Sequence, residues 1–198
     1  MKPAFRSRPR PGIAYGQIRD SICNGDVLMY RGRSLSSRII QWATGSKYSH
    51  AGVAAWWNER LMVLEAVGRG VIATPLSINV AEYHGDVELY TSVPVIPEDS
   101  RRRMIQFAQE ELGKEYATWA TLWLGVRILL QRHIDRRDAL RRERKLFCSF
   151  YVAQVYNAGG FDLKRGVSDR FMSPRDIASS PLLRVVGPLR RGPAAGGV

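Results

Sequence analysis

Two apolar runs, SHAGVAAWW (Ser49–Trp57) and LMVLEAV (Leu61–Val67), stand on either side of the polar tripeptide Asn58-Glu59-Arg60. Runs this short, separated by little more than a turn, close into a β-hairpin. With Asn58 and Glu59 as a two-residue turn, Trp57 pairs with Arg60, Gly52 with Glu65 and His50 with Val67. Strand alternation then groups His50, Gly52, Ala54 and Trp56 on one face and Leu61, Val63, Glu65 and Val67 on one face of the partner strand. A slip of one residue would move every one of these side chains to the opposite face.

That register has a chemical consequence. Glu65 lies inside the apolar context VLEAV, where an unpaired carboxylate is costly. His50 is its diagonal neighbour, about 7 to 8 Å away between backbones and within reach of two long side chains. Gly52 and Ala54 leave room beside the imidazole. Taken singly, His50 also fits a satisfied strand histidine, and Glu65 a salt bridge to one of the many arginines.

Elsewhere, GDVLMY (Gly25–Tyr30) reads as a strand, as do GVIATPL and DVELYTSVPVI, so four to six antiparallel strands are expected. Ser34–Gly45 reads as a helix, with Ser34 as cap, Gly45 as stop, and Leu35, Ile39 and Trp42 on one face. PEDSRRRMIQFAQEELGKEY begins with acids and carries Ile105, Ala108 and Leu112 on one face up to Gly113. Trp119–Leu130 is an apolar segment, and Gln131–Lys145 a charged one with seven basic and three acidic residues. The pair fits a packed helix beside a solvated one, or a lid that binds an anionic surface. A loop, a helical turn from Pro174 and a last strand complete the chain. These elements describe an α+β fold, with 1–20 as a basic arm, 21–189 as a single domain and 190–198 as a disordered tail.

Composition narrows the function classes. At 198 residues and 45% hydrophobic content, the chain can bury a core without staples. Two cysteines and three histidines, with no CxxC or HExxH, predict neither a disulfide framework nor a metal site, and no cofactor is expected. The N-terminus lacks the apolar stretch of a secretory signal, and Trp119–Leu130 is too short to span a bilayer and is interrupted by Arg127. Synthesis in the cytoplasm is expected, with association with a phage or release to the envelope by another route as alternatives. The net charge of +12 attracts any polyanion, whether nucleic acid, anionic lipid or an anionic envelope surface, and charge alone does not choose among them. No zinc finger, RRM signature or repeat supports sequence-specific nucleic-acid binding. Oligomeric state is not specified.

The second cysteine stands in FCSFYVAQVYNAGG (Phe147–Gly160), where Phe147, Tyr151, Val155 and Ala158 recur at helical spacing before two glycines. Cys148 therefore falls in the first turn of a helix, where the dipole stabilises a thiolate and lowers its pKa from about 8.5. Most lone cysteines are packing residues. Beside His50 and Glu65, however, Cys148 completes the nucleophile, base and orienter set of a cysteine hydrolase. Cys23, before the Asn24-Gly25 turn, has no such setting. His84 and His133 read as surface histidines.

The blocks GDVLMYRG, GSKYSHAGVAA, VLEA, LGKEY, FCSFYVAQVYNAGG and SPRDIASSP resemble, in order, those of circularly permuted NlpC-type, papain-like cysteine hydrolases of the YiiX/YaeF branch. His50 precedes Cys148 by 98 residues, the reverse of the ordinary papain order, which the resemblance explains as permutation. It implies a permuted papain-like fold, an antiparallel sheet or barrel packed on helices, with Cys148 as nucleophile at a helix N-terminus, His50 as base and Glu65 as orienter. It also places Tyr116 near the cleft, and Tyr48 and Ser49, just before His50, with it at the substrate. A backbone N–H at the start of the Cys148 helix would serve the oxyanion. Phe150 stands where many relatives carry an acid after the CS pair. The leading expectation is a thiol hydrolase that cleaves an amide or ester through an acyl-enzyme, on cell-wall peptides. The alternatives are a lipid acyl hydrolase or acyltransferase of the lecithin:retinol acyltransferase type, and a catalytically silent module of a phage or envelope.

Overall fold

A computed structural model describes residues 11–68, 70–114 and 147–191. Among these the chain forms, in order, β1 (Ile13–Ala14), α1 (Tyr15–Ile18), β2 (Val27–Gly32), α2 (Leu35–Thr44), β3 (His50–Trp57), β4 (Arg60–Val67) and β5 (Gly70–Pro75). There follow α3 (Leu76–Glu82), β6 (Gly85–Ser92), α4 (Glu98–Glu110), α5 (Phe147–Ala158), α6 (Pro174–Ala178) and β7 (Leu183–Arg190).

The hairpin forms in the register its turn dictates. Trp57 faces Arg60 and Val53 faces Leu64, while Asn58 takes a φ of 54°, a left-handed conformation that asparagine tolerates. Around it grows a seven-stranded sheet in the order β1-β7-β6-β2-β3-β4-β5, antiparallel except for the β1–β7 pair. The sheet is larger than the four to six strands expected. The difference lies at its β1–β7 edge, where Ile13 pairs with Leu189 and Ala14 with Arg190. Residues 13–20, part of the stretch 1–20 assigned to an arm by its basic and proline-rich character, form this strand, α1 and, with Ser21, a 3-10 turn, because Ile13 has a strand edge to join. The helix α3, which carries no long apolar period, was not expected either.

Both faces of the sheet are covered, which is why Ala51 to Ala55 are all buried in β3. On one face Val27, Met29, Val53 and Leu64 pack against Met104, Ile105 and Ala108 of α4 and Tyr151, Val152 and Val155 of α5. On the other, Leu28, Tyr30, Ala54, Leu61 and Val63 pack around Leu76 and Val80 of α3. Tyr151, Val152, Val155 and Tyr156 are fully buried, and burying each such side chain contributes about 1.5 to 3 kcal/mol. Two phenols also fix α5 by hydrogen bonds: Tyr151 donates to the Ala108 carbonyl (3.0 Å) and Tyr156 to that of Gly25 (2.8 Å). The position of Cys148 is thus set by a helix anchored in the core.

Helix α2 keeps the expected ends: the Ser34 hydroxyl accepts from the Ser37 N–H, and Gly45 stops it at a φ of 60°. Its apolar face is not buried, however, and Leu35 and Trp42 are exposed. The expectations for Trp119–Leu130, Gln131–Lys145, Tyr116 and His133 lie outside the described residues. Among the described residues, no helix is long and apolar enough to cross a membrane.

Candidate active site

His50 is the first residue of β3, directly opposite Tyr30 of β2. The residues before it hold the strand end in place. The Ser49 N–H donates to the Tyr30 carbonyl (2.8 Å), and the Ser49 hydroxyl accepts from the Gly32 N–H (3.2 Å). Tyr48 is buried, donates its phenol proton to Glu88 (2.5 Å) and lies 2.7 Å from the Tyr90 hydroxyl. Burial, together with these two bonds, pushes the Tyr48 phenol far up. Tyr48 and Ser49, expected at the substrate, are buried and hydrogen-bonded within the framework around His50.

The imidazole and the carboxylate meet as the hairpin register requires. His50 Nε2 lies 2.9 Å from Glu65 Oε2, and the Glu65 side chain is 7% exposed. A Cβ on Gly52 would stand 3.2 Å from Glu65 Cγ and 2.8 Å from Val63 Cγ2, so the carboxylate passes over the strand only because residue 52 has no side chain. The second carboxylate oxygen is also occupied: Asn79 Nδ2 of α3 donates to Glu65 Oε1 (2.9 Å), while the Tyr30 hydroxyl donates to Asn79 Oδ1 (2.9 Å). The Tyr30 proton fixes which end of the amide faces Glu65. Tyr30 further lies against the imidazole, with ring centroids 5.2 Å apart.

Cys148, the second residue of α5 and 7% exposed, comes to the same strand end from the other element. The side chain of His50 and the N–H of Ala51 act on its sulfur electrostatically, and the Ser149 hydroxyl lies 4.0 Å away. Because Nε2 is taken by Glu65, Nδ1 is the imidazole nitrogen left for the sulfur. Burial alone would raise the thiol, but the charge and hydrogen bond of His50, then the Ala51 N–H and Ser149, outweigh it and hold Cys148 below its ordinary value. Burial likewise opposes protonation of His50, but the Cys148 thiolate and then Glu65 overcome this and push the imidazole up to about 10. The arrangement is that of a thiolate–imidazolium pair backed by a carboxylate.

Tyr83 closes the cluster. Its ring meets Tyr30 edge-on at 4.9 Å, and burial is the main cause of its raised pKa. Asn79, Tyr30 and Tyr83 were not singled out in the sequence. Tyr30 had a signal in principle, as the last residue of a predicted strand, but the β2–β3 register that sets it opposite His50 was not derivable. Cys23 is exposed and unpaired with Cys148, and His84 is exposed.

Comparison with known proteins follows the same residues. A protein family described as permuted papain-like amidase enzyme, YaeF/YiiX, C92 family, matches residues 21–121. The chain belongs to this family. The family is described as one of permuted papain-like amidases. The matched residues contain His50 and Glu65 and end before Cys148. The uncharacterized protein YiiX of Escherichia coli K12 is 36% identical over 95 residues, a stretch that spans 46% of this chain and 46% of that protein. The crystal structure described as metalloprotein YiiX from Escherichia coli O157:H7 superposes with a TM-score of 0.59 at 25% identity, over 86% of this chain and 98% of that one. The word metalloprotein describes that molecule. In this chain no three His, Cys, Asp or Glu side chains among the described residues form a group that could hold a metal ion.

Proposed function

We propose that this C92 family member hydrolyses an amide bond through an acyl-thioester on Cys148, with His50 as proton carrier and Glu65 as its orienter, and that peptides of the cell wall are the substrate class. The observation that carries the reading is that the buried Cys148 thiol is held low by His50, whose Nε2 in turn lies 2.9 Å from Glu65 Oε2. The thiolate attacks the carbonyl carbon and forms a C–S bond; the imidazolium gives its proton to the leaving nitrogen as the C–N bond breaks. Water then attacks the thioester, His50 takes its proton, and the C–S bond breaks to release the carboxylic acid and restore the pair. An ester-bearing substrate would follow the same steps with an alcohol leaving.

The test is to incubate the protein with a panel of muropeptides and of acyl lipids and to locate the acyl adduct by mass spectrometry. Cleavage of muropeptides with an adduct on Cys148, abolished in Cys148→Ala, is the expected result. Full activity in Cys148→Ala would contradict the mechanism, and turnover of lipids alone would contradict the substrate class.

A further inference from the structure

Helix α2 is amphipathic, and its outer face carries apolar residues. Leu35 is 75% and Trp42 is 62% exposed, and no residue of the helix is buried. Arg38, also exposed, lies three residues after Leu35 and four before Trp42, so the three share one stripe, with the half-buried Ile39 beside it. Exposed cations stand at both ends of the stripe: Arg31 and Arg33 before it, Lys47 after it, and Arg175 of α6, whose Nη1 lies 3.1 Å from where a Cβ on Gly45 would be. The sequence holds no acid between Asp26 and Glu59. The acids that do approach, Asp86 and Glu88, are already paired with Arg33 (3.6 Å) and Lys47 (2.8 Å). Arg31, Arg38 and Arg175 have no ion pair among the described residues.

We propose that α2 docks on an anionic phospholipid surface. A bilayer interface offers both things this stripe presents: acyl chains for Leu35, Ile39 and Trp42, and phosphate groups for Arg31, Arg38 and Arg175. The Arg38 stem can lie along the apolar surface while its guanidinium stays at headgroup level, and an indole suits the same depth. A nucleic acid would satisfy the arginines but leave Leu35 in water. The helix is short, so binding is moderate and depends on ionic strength. His50 follows the Gly45 stop by five residues, so a docked α2 holds the candidate site next to the membrane; that consequence alone rests on the function proposed above.

The experiment is co-sedimentation of the full chain with vesicles of phosphatidylcholine alone and of equal parts phosphatidylcholine and phosphatidylglycerol. Binding is expected only to the anionic vesicles, falling about tenfold or more in the Leu35→Ser, Trp42→Ser double variant and on raising salt toward about 1 M. Both residues are exposed, so the variant should keep its circular dichroism and its rate of Cys148 alkylation, which separates this result from failure of the catalytic reading. Equal binding by the variant, or equal binding to phosphatidylcholine alone, would overturn the proposal. So would shielding of residues 35–42 from hydrogen exchange in the lipid-free monomer, or a self-association that the double variant abolishes.

Discussion

Glu65 gives one oxygen to His50 and the other to Asn79, so its orientation is fixed by two elements, β3 and α3, that are separate in sequence. Asn79 in turn is fixed by Tyr30, and this makes it a positioning residue for the carboxylate. Replacing Asn79 by Ala removes a hydrogen bond worth about 1 kcal/mol and lets the carboxylate rotate away from the imidazole. The imidazolium then loses support, His50 falls from about 10, and the thiol rises. The expected outcome is that the acid limb of the rate of Cys148 alkylation against pH moves upward, with the rate near neutral pH down about fivefold, while a fold-only role would leave the limb in place. The sequence made Glu65 legible because a carboxylate in an apolar strand needs a partner. It hid Asn79, because a single asparagine in a seven-residue helix has no pattern to betray it.

At the scale of elements, the hairpin was legible down to individual pairs, since a two-residue turn and strand alternation leave one register. Gly52 shows what that register demands. In Gly52→Ala the new methyl meets Val63 and Glu65, so the variant should lose about 1 to 3 kcal/mol of stability by overpacking. Because the displaced group is the Glu65 side chain, Cys148 alkylation in the still-folded variant should drop too; a melting and alkylation assay on the same sample checks both, and unchanged alkylation would contradict the geometry. Helix α2 shows the limit of the same reasoning: periodicity found the helix, its cap and its stop, but spacing alone does not say whether an apolar stripe faces the core or solvent. The pairing of β1 with β7 joins residues from opposite ends of the described chain, a distance over which local pattern says nothing.

Across the whole molecule, the candidate site exists only because the fold is complete. His50 comes from a central strand, Asn79 from the helix on one face of the sheet, and Cys148 from a helix anchored to the other face by Tyr151 and Tyr156. The order of His50 before Cys148 was readable, and so were the α+β class and the family, while the two-sided cover of the sheet was not, because the residues that line each face are gathered from the whole chain. The most direct measurement is the pH dependence of Cys148 alkylation by iodoacetamide, read by mass spectrometry in a Cys23→Ser background with and without His50→Ala. A thiol held low and an imidazole held up to about 10 predict a thiolate already reactive below the ordinary thiol pKa of about 8.5, persisting as an ion pair until pH rises through about 10. His50→Ala should shift the acid limb upward to or beyond that ordinary value, and an acid limb unmoved by His50→Ala would contradict the thiolate–imidazolium pair.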